Sequence, residues 1–356
     1  MASPPDPDIA VRDFRQRSHL RAIVAHEPGK PDVLVIEERP IPEPADGWVL
    51  IRIGAFGLNR AEMFTRQGHS PGTAFPRVLG IECVGEVEAG PGTELVKGQL
   101  VAAMMGGMGR EFDGSYAEYV CVPRRCVHPL VSDLPWSTLG ALPEMFQTTF
   151  GSLHTALECR TGDKLLVRGG TSSIGRAAIR MAKRLGLEVA ATTRNPSKGD
   201  ALKTSGADHV ILDDGTIAER VRTSLSGGAD KVLELVGTTT LRDSLTATRR
   251  GGVVCMTGIL GGAWSIENFE PMTFIPTGVR LTSYSGDADD ISTEQLQAFV
   301  DDVAQKRVRV DVDRVFRFDE IGDAHRYMEA SRARGKLVVR VRKGTGGGGL
   351  GDSLSD

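Results

Sequence analysis

The sequence predicts an α/β protein in which a doubly wound parallel sheet is joined to a β-rich domain. Two observations carry this. Between residues 148 and 286, short apolar runs alternate with segments of helical period, as in strand–helix–strand units feeding one parallel sheet. From Arg21 to about Pro143, strand-like runs instead follow one another across Gly- and Pro-bearing turns such as Glu27-Pro28-Gly29 and Ala89-Gly90-Pro91-Gly92.

In chain order, the β-rich part offers strands at Arg21–Ala25, Val33–Glu38, Trp48–Phe56, Glu82–Glu88, Gln99–Met104 and Ala117–Pro123. A helix is expected over Thr148–Ala156. The stretch Asp163–Lys198 is the centre of the chain. Leu165, Leu166 and Val167 form the apolar run of a fully buried strand, and Gly169-Gly170-Thr171-Ser172-Ser173-Ile174-Gly175 is a turn of small residues. Ala177, Ala178, Met181, Ala182 and Leu185 then recur at helical spacing, Gly186 stops the helix, and Glu188–Thr193 is the next strand. Beyond it come a strand at Asp208–Leu212, a helix at Ile217–Leu225, a strand at Lys231–Val236, a helix at Leu241–Ala247 and a strand at Gly252–Thr257. Helices at Thr293–Gln305 and Ile321–Arg332 and a strand at Lys336–Arg342 complete the pattern, which holds no internal repeat.

The small residues of the turn have a physical purpose. A pyrophosphate reaches the backbone N–H groups at a helix N-terminus only where no bulky side chain intervenes. Gly169, Gly170 and Gly175 keep the turn tight, and Ser172 and Ser173 add hydroxyl donors. A dinucleotide is therefore the expected ligand. The end of the second strand selects which one. An acidic residue there binds the ribose hydroxyls of NAD. This chain has Thr192-Thr193-Arg194-Asn195-Pro196-Ser197-Lys198 instead, so Arg194 and Lys198 are matched to a 2′-phosphate and the expected cofactor is NADPH. The plainer reading of this segment is a solvated basic loop.

Composition limits the alternatives. The chain has 356 residues, enough for two domains with real cores. A formal net charge of −3 implies no affinity for nucleic acid or a membrane surface, and no apolar run approaches a membrane span. The N-terminal residues lack the apolar core of a signal peptide. Residues 1–19 and 343–356, the latter with GTGGGGLGDSLSD, are expected to be flexible tails. Five cysteines without CxxC spacing suit a reduced, cytoplasmic setting.

These residues resemble the medium-chain dehydrogenase/reductase family, in its zinc-independent quinone oxidoreductase branch, from about Leu20 to Arg342. The resemblance is carried by GLNRAEMFTRQG (Gly57–Gly68), FPRVLGIECVGEVEAGPG (Phe75–Gly92), GSYAEYVCVP (Gly114–Pro123), GGTSSIG (Gly169–Gly175) and AHRYMEASRARGKLVV (Ala324–Val339). It implies a GroES-like β-rich domain built from residues 20–147 and 287–342, a Rossmann NADPH-binding domain over 148–286, and a homodimer. Zinc-dependent relatives hold their metal with a Cys and a Gly-His-Glu motif; here the matching residues are Asn59 and Gly80-Ile81-Glu82. Two ligands are missing, and no cysteine lies between Gly90 and Gly114 to form a structural zinc loop, so no metal is expected.

The resemblance also implies roles. Asn59 lies beside the nicotinamide and the acceptor, and Thr148 binds the carboxamide. Gly170, Ser172, Ser173, Ile174 and Gly175 surround the pyrophosphate, Thr193, Arg194 and Lys198 meet the adenosine phosphate, Gly258 ends a strand where ligands collect, and Lys336 approaches the cofactor. Phe64 occupies the place where some relatives have a tyrosine, which removes a phenolic acid there and leaves protonation to water or another group. Tyr284 is a second pocket candidate. Plainer readings stand beside these: Asn59 in a turn, Thr148 as a helix cap, Lys336 as a solvated strand-edge residue, Tyr284 as packing and His325 as structural.

Without a Lewis acid, hydride delivery to a quinone or an α,β-unsaturated ketone is the expected chemistry, with a small electrophile as acceptor. The alternatives are an enoyl-thioester reductase and a nucleotide-binding protein with little turnover. The short-chain dehydrogenases are excluded because no tyrosine is followed by lysine at Tyr-x-x-x-Lys spacing.

Overall fold

The computed structural model describes residues 18–342. The expected tails lie outside these residues apart from Ser18 and His19, the latter opening the first strand. The chain forms two compact units. Among the described residues, one holds Ser18–Gly140, Phe316–Ala330 and Val338–Arg342; the other holds Ala141–Val315 and Ser331–Leu337. The helix Pro143–Phe150 and the helix Thr293–Ala304 thus both fall in the second unit, where Phe146 stacks on Phe299 at 4.6 Å. The resemblance had implied that residues 141–147, 287–315 and 331–337 go with the β-rich domain.

In the first unit, β1 (His19–Ala25) pairs antiparallel with β2 (Leu34–Pro40), then β3 (Trp48–Leu58) begins the larger sheet. The short β4 (Arg77–Val78) extends the small sheet through β1. The larger one is antiparallel throughout its core: β5 (Glu82–Ala89) pairs with β3, β6 (Leu100–Met104) with β5, β7 (Tyr119–Pro123) with β3, and β8 (Val127–Pro129) with β6. β3 stays buried over most of its length because neighbouring strands and the Phe56–Tyr116 stack at 4.8 Å cover it. A helix the sequence reading passed over, Arg60–Arg66, follows β3 directly. It packs against Ile321–Glu329 through a fully buried Arg66, which donates to His325 Nδ1 (3.3 Å), the Gly29 carbonyl (2.5 Å) and Glu329. Tyr116 meets the other nitrogen of His325 at 3.0 Å. Burial, helped by the Arg66 charge, pushes His325 down to about 3, so its ring is neutral and its role is packing.

Three glycines hold the loop after β6 against the lead into β5. A Cβ on Gly114 would stand 2.2 Å from the Gly80 carbonyl, and one on Gly109 would stand 2.7 Å from the same atom. Gly80 itself has φ +105 and would meet Ser115 Oγ at 2.3 Å. Backbone lies on backbone here, with no room for a side chain on either side.

The second unit is a six-stranded parallel sheet in the order β11-β10-β9-β12-β13-β14. Its strands are β9 (Lys164–Arg168), β10 (Glu188–Thr193), β11 (His209–Leu212), β12 (Ala229–Glu234), β13 (Thr248–Met256) and β14 (Arg280–Ser283). Only β14 was not read in the sequence. Alternate side chains go to opposite faces: Leu165, Val167, Val189, Ala191 and Leu233 join one core, Leu166, Ala190, Ile211 and Val232 the other. Both faces are covered by helices, which is why these strands read as unbroken apolar runs. The expected Thr148–Ala156 helix begins earlier, at Pro143, and passes into a wider π turn over Gly151–Ala156. Finally β15 (Val312–Arg317) and β16 (Lys336–Arg340) carry the chain back, and Val341 N–H donates to the Gly54 carbonyl (2.9 Å) in the first unit. Among the described residues, no helix is long and apolar enough to cross a membrane.

Candidate functional site

The glycine-rich turn closes at the carboxyl end of β9. Gly169 has φ +88, and its N–H donates to Thr192 Oγ1 (3.0 Å). Ser172 is the N-cap of the helix Ser173–Arg184: its hydroxyl accepts from Gly175 N–H (3.0 Å) and donates to the Gly169 carbonyl (2.9 Å). A Cβ on Gly175 would lie 2.5 Å from that same carbonyl, so the helix can approach the turn only as glycine. With Ser172 spent on the cap, the N–H groups of Ser173 and Ile174 have no acceptor among the described residues. Unsatisfied N–H groups at the first helical turn of a parallel α/β sheet fit an anionic pyrophosphate. Gly258, after β13, sits where a Cβ would meet the Leu235 carbonyl at 2.5 Å, another point of close backbone approach.

At the end of β10, Thr193 is buried and its hydroxyl contacts both the N–H and the carbonyl of Asn195 (3.1 Å each). Asn195 Oδ1 accepts from Ser197 N–H (3.0 Å) and hydroxyl (2.9 Å), shaping a tight local turn. Arg194 is exposed and Lys198 half-buried, and neither side chain makes an ion pair or hydrogen bond among the described residues.

Thr148 and Lys336 are joined by a residue the sequence reading missed. Lys336 Nζ donates to Glu144 Oε2 at 2.9 Å, and Thr148 Oγ1 donates to Glu144 Oε1 at 2.9 Å. Lys336 is 2% exposed, which corrects its reading as a solvated strand-edge residue. Thr148 is the sixth residue of its helix and so is not a cap, because the helix already starts at Pro143. The Pro-Glu pair opening that helix was the available signal for Glu144. Nearby, Tyr284 packs on the core beneath β9, where a Cβ on Gly151 would overlap its ring. Its hydroxyl donates to Asp290 (2.8 Å); burial and that carboxylate push its pKa well above the usual phenol range.

Asn59 and Phe64 lie in the first unit. Phe64 is half-buried on the helix Arg60–Arg66. Asn59 is the N-cap of that helix rather than a turn residue, in a capping box with Glu62. Its backbone N–H donates to Glu62 Oε2 (2.9 Å), and its amide donates to Glu62 Oε1 (3.2 Å) and Glu82 Oε1 (2.9 Å). Both amide hydrogens are thus held by carboxylates. Glu62 also accepts from Ile81 N–H (3.2 Å). Burial, with the Glu82 charge adding to it, pushes Glu62 up to about 7 from 4.5.

A raised folded-state pKa means the native protein binds this proton more tightly than the unfolded chain. The stabilising contribution is full below about 4.5 and is lost as pH rises towards 7, by roughly 3 kcal/mol. Glu62→Gln, which cannot ionise, is expected to flatten the pH dependence of stability over this window. Urea midpoints at both ends of the window, in wild type and variant, check it; parallel pH slopes would refute the assignment.

A chain that folds into an open parallel sheet with a glycine-rich turn and, separately, a β-rich antiparallel unit has the architecture of two-domain nucleotide-binding oxidoreductases. The comparisons agree. Residues 45–132 match the family model described as "Alcohol dehydrogenase GroES-like domain", and residues 205–339 match "Zinc-binding dehydrogenase". The quinone oxidoreductase of Pseudomonas aeruginosa is 27% identical over 325 residues, covering 87% of this chain and 96% of that protein. The quinone oxidoreductase structure from Coxiella burnetii has a TM-score of 0.79 at 25% identity, covering 91% of this chain and 100% of that one. A mycobacterial Rv1454c structure complexed with NADPH has a TM-score of 0.80 at 25% identity, over 90% and 100%. The chain belongs to the medium-chain dehydrogenase/reductase family, quinone oxidoreductase type.

One family description carries the word zinc, and the residues here do not fit that ion. In the matched segment His209 contacts Glu188, His325 lies between Arg66 and Tyr116, and Cys255 is buried against Thr257. Asn59, Ile81 and Glu82 supply one carboxylate, and the amide directs an N–H, not a lone pair, at it. Among the described residues no group of three or more His, Cys, Asp or Glu side chains could hold a metal.

Proposed function

We propose that the protein reduces a quinone or an α,β-unsaturated ketone with NADPH, without zinc. The observation that carries the cofactor choice is Arg194, an exposed cation without a partner among the described residues, at the strand end where an NAD site needs a carboxylate. When bound, the reduced nicotinamide supplies the hydride. The chain's own part is binding and orientation. Ser173 and Ile174 N–H groups would take the pyrophosphate, Arg194 and Lys198 the 2′-phosphate, and the Lys336–Glu144–Thr148 array would fix the threonine hydroxyl towards the carboxamide. Tyr284 keeps its proton and commits it to Asp290, so it is a lining group and not the acid; water is the proton source we assign. The mycobacterial neighbour complexed with NADPH supports the cofactor reading by analogy.

The test is Arg194→Ala. Charge-assisted bonds to a phosphate are worth about 1.5–3 kcal/mol each, so NADPH affinity is expected to fall about tenfold or more while NADH affinity stays constant. Equal loss for both cofactors would sink the phosphate assignment. Metal analysis of purified protein is expected to show no stoichiometric zinc. The same proposal includes a homodimer, which sedimentation would reveal as twice the chain mass.

An enoyl-thioester reductase is the second reading. It draws on a match at 25% identity to a tetraketide synthase of Cochliobolus lunatus, covering 92% of this chain and 13% of that protein. NADPH oxidation with a quinone, an enone and an enoyl-CoA separates the two: turnover of the thioester alone selects the second. NADPH binding with no turnover across the panel would point to a nucleotide-binding role.

A further inference from the structure

Three arginines converge on one aspartate in the second unit, in a pocket outside the proposed cofactor contacts. The helix Ser173–Arg184 presents Arg176 and Arg180 on one face, four residues apart. Arg176 lies 2.8 Å and Arg180 2.6 Å from Asp311 Oδ2, and Arg309 lies 3.0 Å from Asp311 Oδ1. The side chains of Arg176 and Arg180 are each only 13% exposed and that of Asp311 11%, so this is not a solvated surface pair. Arg176 also donates to the Arg334 carbonyl, yet its Nε is buried without an acceptor among the described residues. Counting Asp313, which acts on Arg176 at longer range, three cations face two carboxylates. Burial holds the Arg176 guanidinium below its ordinary range; Asp311 opposes this, and Arg180 and Arg309 add to it.

Most of the remaining lining is apolar. Met145, Met181, Phe299 and Val308 wall it, and Gly335 lies in its lining. A Cβ on Gly335 would stand 2.2 Å from the Asp311 carbonyl, which also accepts from Lys336 N–H (2.7 Å). The aspartate is therefore anchored through its backbone while its carboxylate is shared three ways. A half-buried surplus of positive charge with an unused N–H and a low-dielectric wall favours a counter-anion, and planar guanidinium forks suit two-oxygen partners.

We infer that this pocket binds an oxyanion, the phosphate or carboxylate group of a small ligand, against Arg176, Arg180 and Arg309. Ser173 borders both this pocket and the glycine-rich turn, so two sources of the group must be told apart: a separate anion, which is the inference, and a phosphate of the cofactor. The site does not depend on the cofactor reading.

Calorimetric titration of the full chain with inorganic phosphate at fixed ionic strength, with and without saturating NADPH, tests it. One phosphate per chain is expected, with the same Kd in both arms. Arg180→Gln is expected to raise that Kd about tenfold or more. Arg309→Gln, with a side chain 74% exposed and little folding risk, should raise it about threefold. No saturable heat, or an unchanged Kd in both variants, overturns the inference. Phosphate displaced by NADPH also overturns it, and assigns the cluster to the cofactor's own phosphates.

Discussion

Arg168→Met is expected to cost about 3–5 kcal/mol of folding stability. Arg168 ends β9, is fully buried, and spends its donors on several segments at once. Its Nε and one Nη form a fork with Asp213 (3.0 and 2.9 Å), and the other Nη reaches Asp243 (2.8 Å), the Thr240 carbonyl (3.1 Å) and Ser244 (3.1 Å). Methionine fills much of the volume but leaves two largely buried aspartates without their cation. The sign of the pH dependence identifies the cause. Burial alone would raise Asp213; the Arg168 fork and charge more than reverse this and hold it below 3.8. A depressed carboxyl contributes stability above the unfolded value that is lost as pH falls through the folded one. Wild type should therefore lose this contribution in acid, and the gap between wild type and variant should narrow below about pH 4. Denaturant unfolding at neutral and acid pH measures both. A gap unchanged by acid would mean that lost packing, not the ion pair, sets the cost.

Lys336→Met is expected to be about as damaging, again roughly 3–5 kcal/mol, because Glu144 stays buried without that ammonium. Lys336→Met combined with Glu144→Leu removes both charges and should recover most of the loss, since an apolar pair of similar volume is often neutral in a core. If the double variant is as unstable as the sum of the singles, the two side chains do not act as a pair. The double variant also bears on function: Thr148 loses its acceptor there, so weaker cofactor binding in a protein of restored stability would link the array to the nicotinamide end.

The sequence showed the second unit well because its strands are buried on both faces and its helices have one apolar stripe, so each element announces its own period. It also showed the glycine-rich turn, where the constraint is local: Gly175 must clear a carbonyl only six residues back. The plainer reading of Lys336, as a solvated residue, failed for the opposite reason. Its partner Glu144 is 192 residues away, and a lysine at a strand start looks solvated until that partner is known. Arg168 was hidden the same way, as the polar end of an apolar run whose acceptors lie 45 and 75 residues on. Asn59 stood out in the sequence, but its environment did not. That Glu62 and Glu82 both claim its amide depends on how β5 and the helix after β3 meet, which local patterning does not encode.

The contact among Gly80, Gly109 and Gly114 bears on attempts to retarget the protein. The loop Met105–Gly114 is an obvious place to diversify, since loops tolerate change better than strands. Here the loop is keyed to the main chain beside Glu82 at two points, and any substituent at either glycine would push on the residues that hold Asn59. Libraries confined to the non-glycine positions should yield folded clones, whereas libraries that include Gly109 or Gly114 should be dominated by insoluble ones. Altered specificity would then be a matter of side-chain choice on a preset path, and loop-length variation would have to be sought elsewhere in the chain.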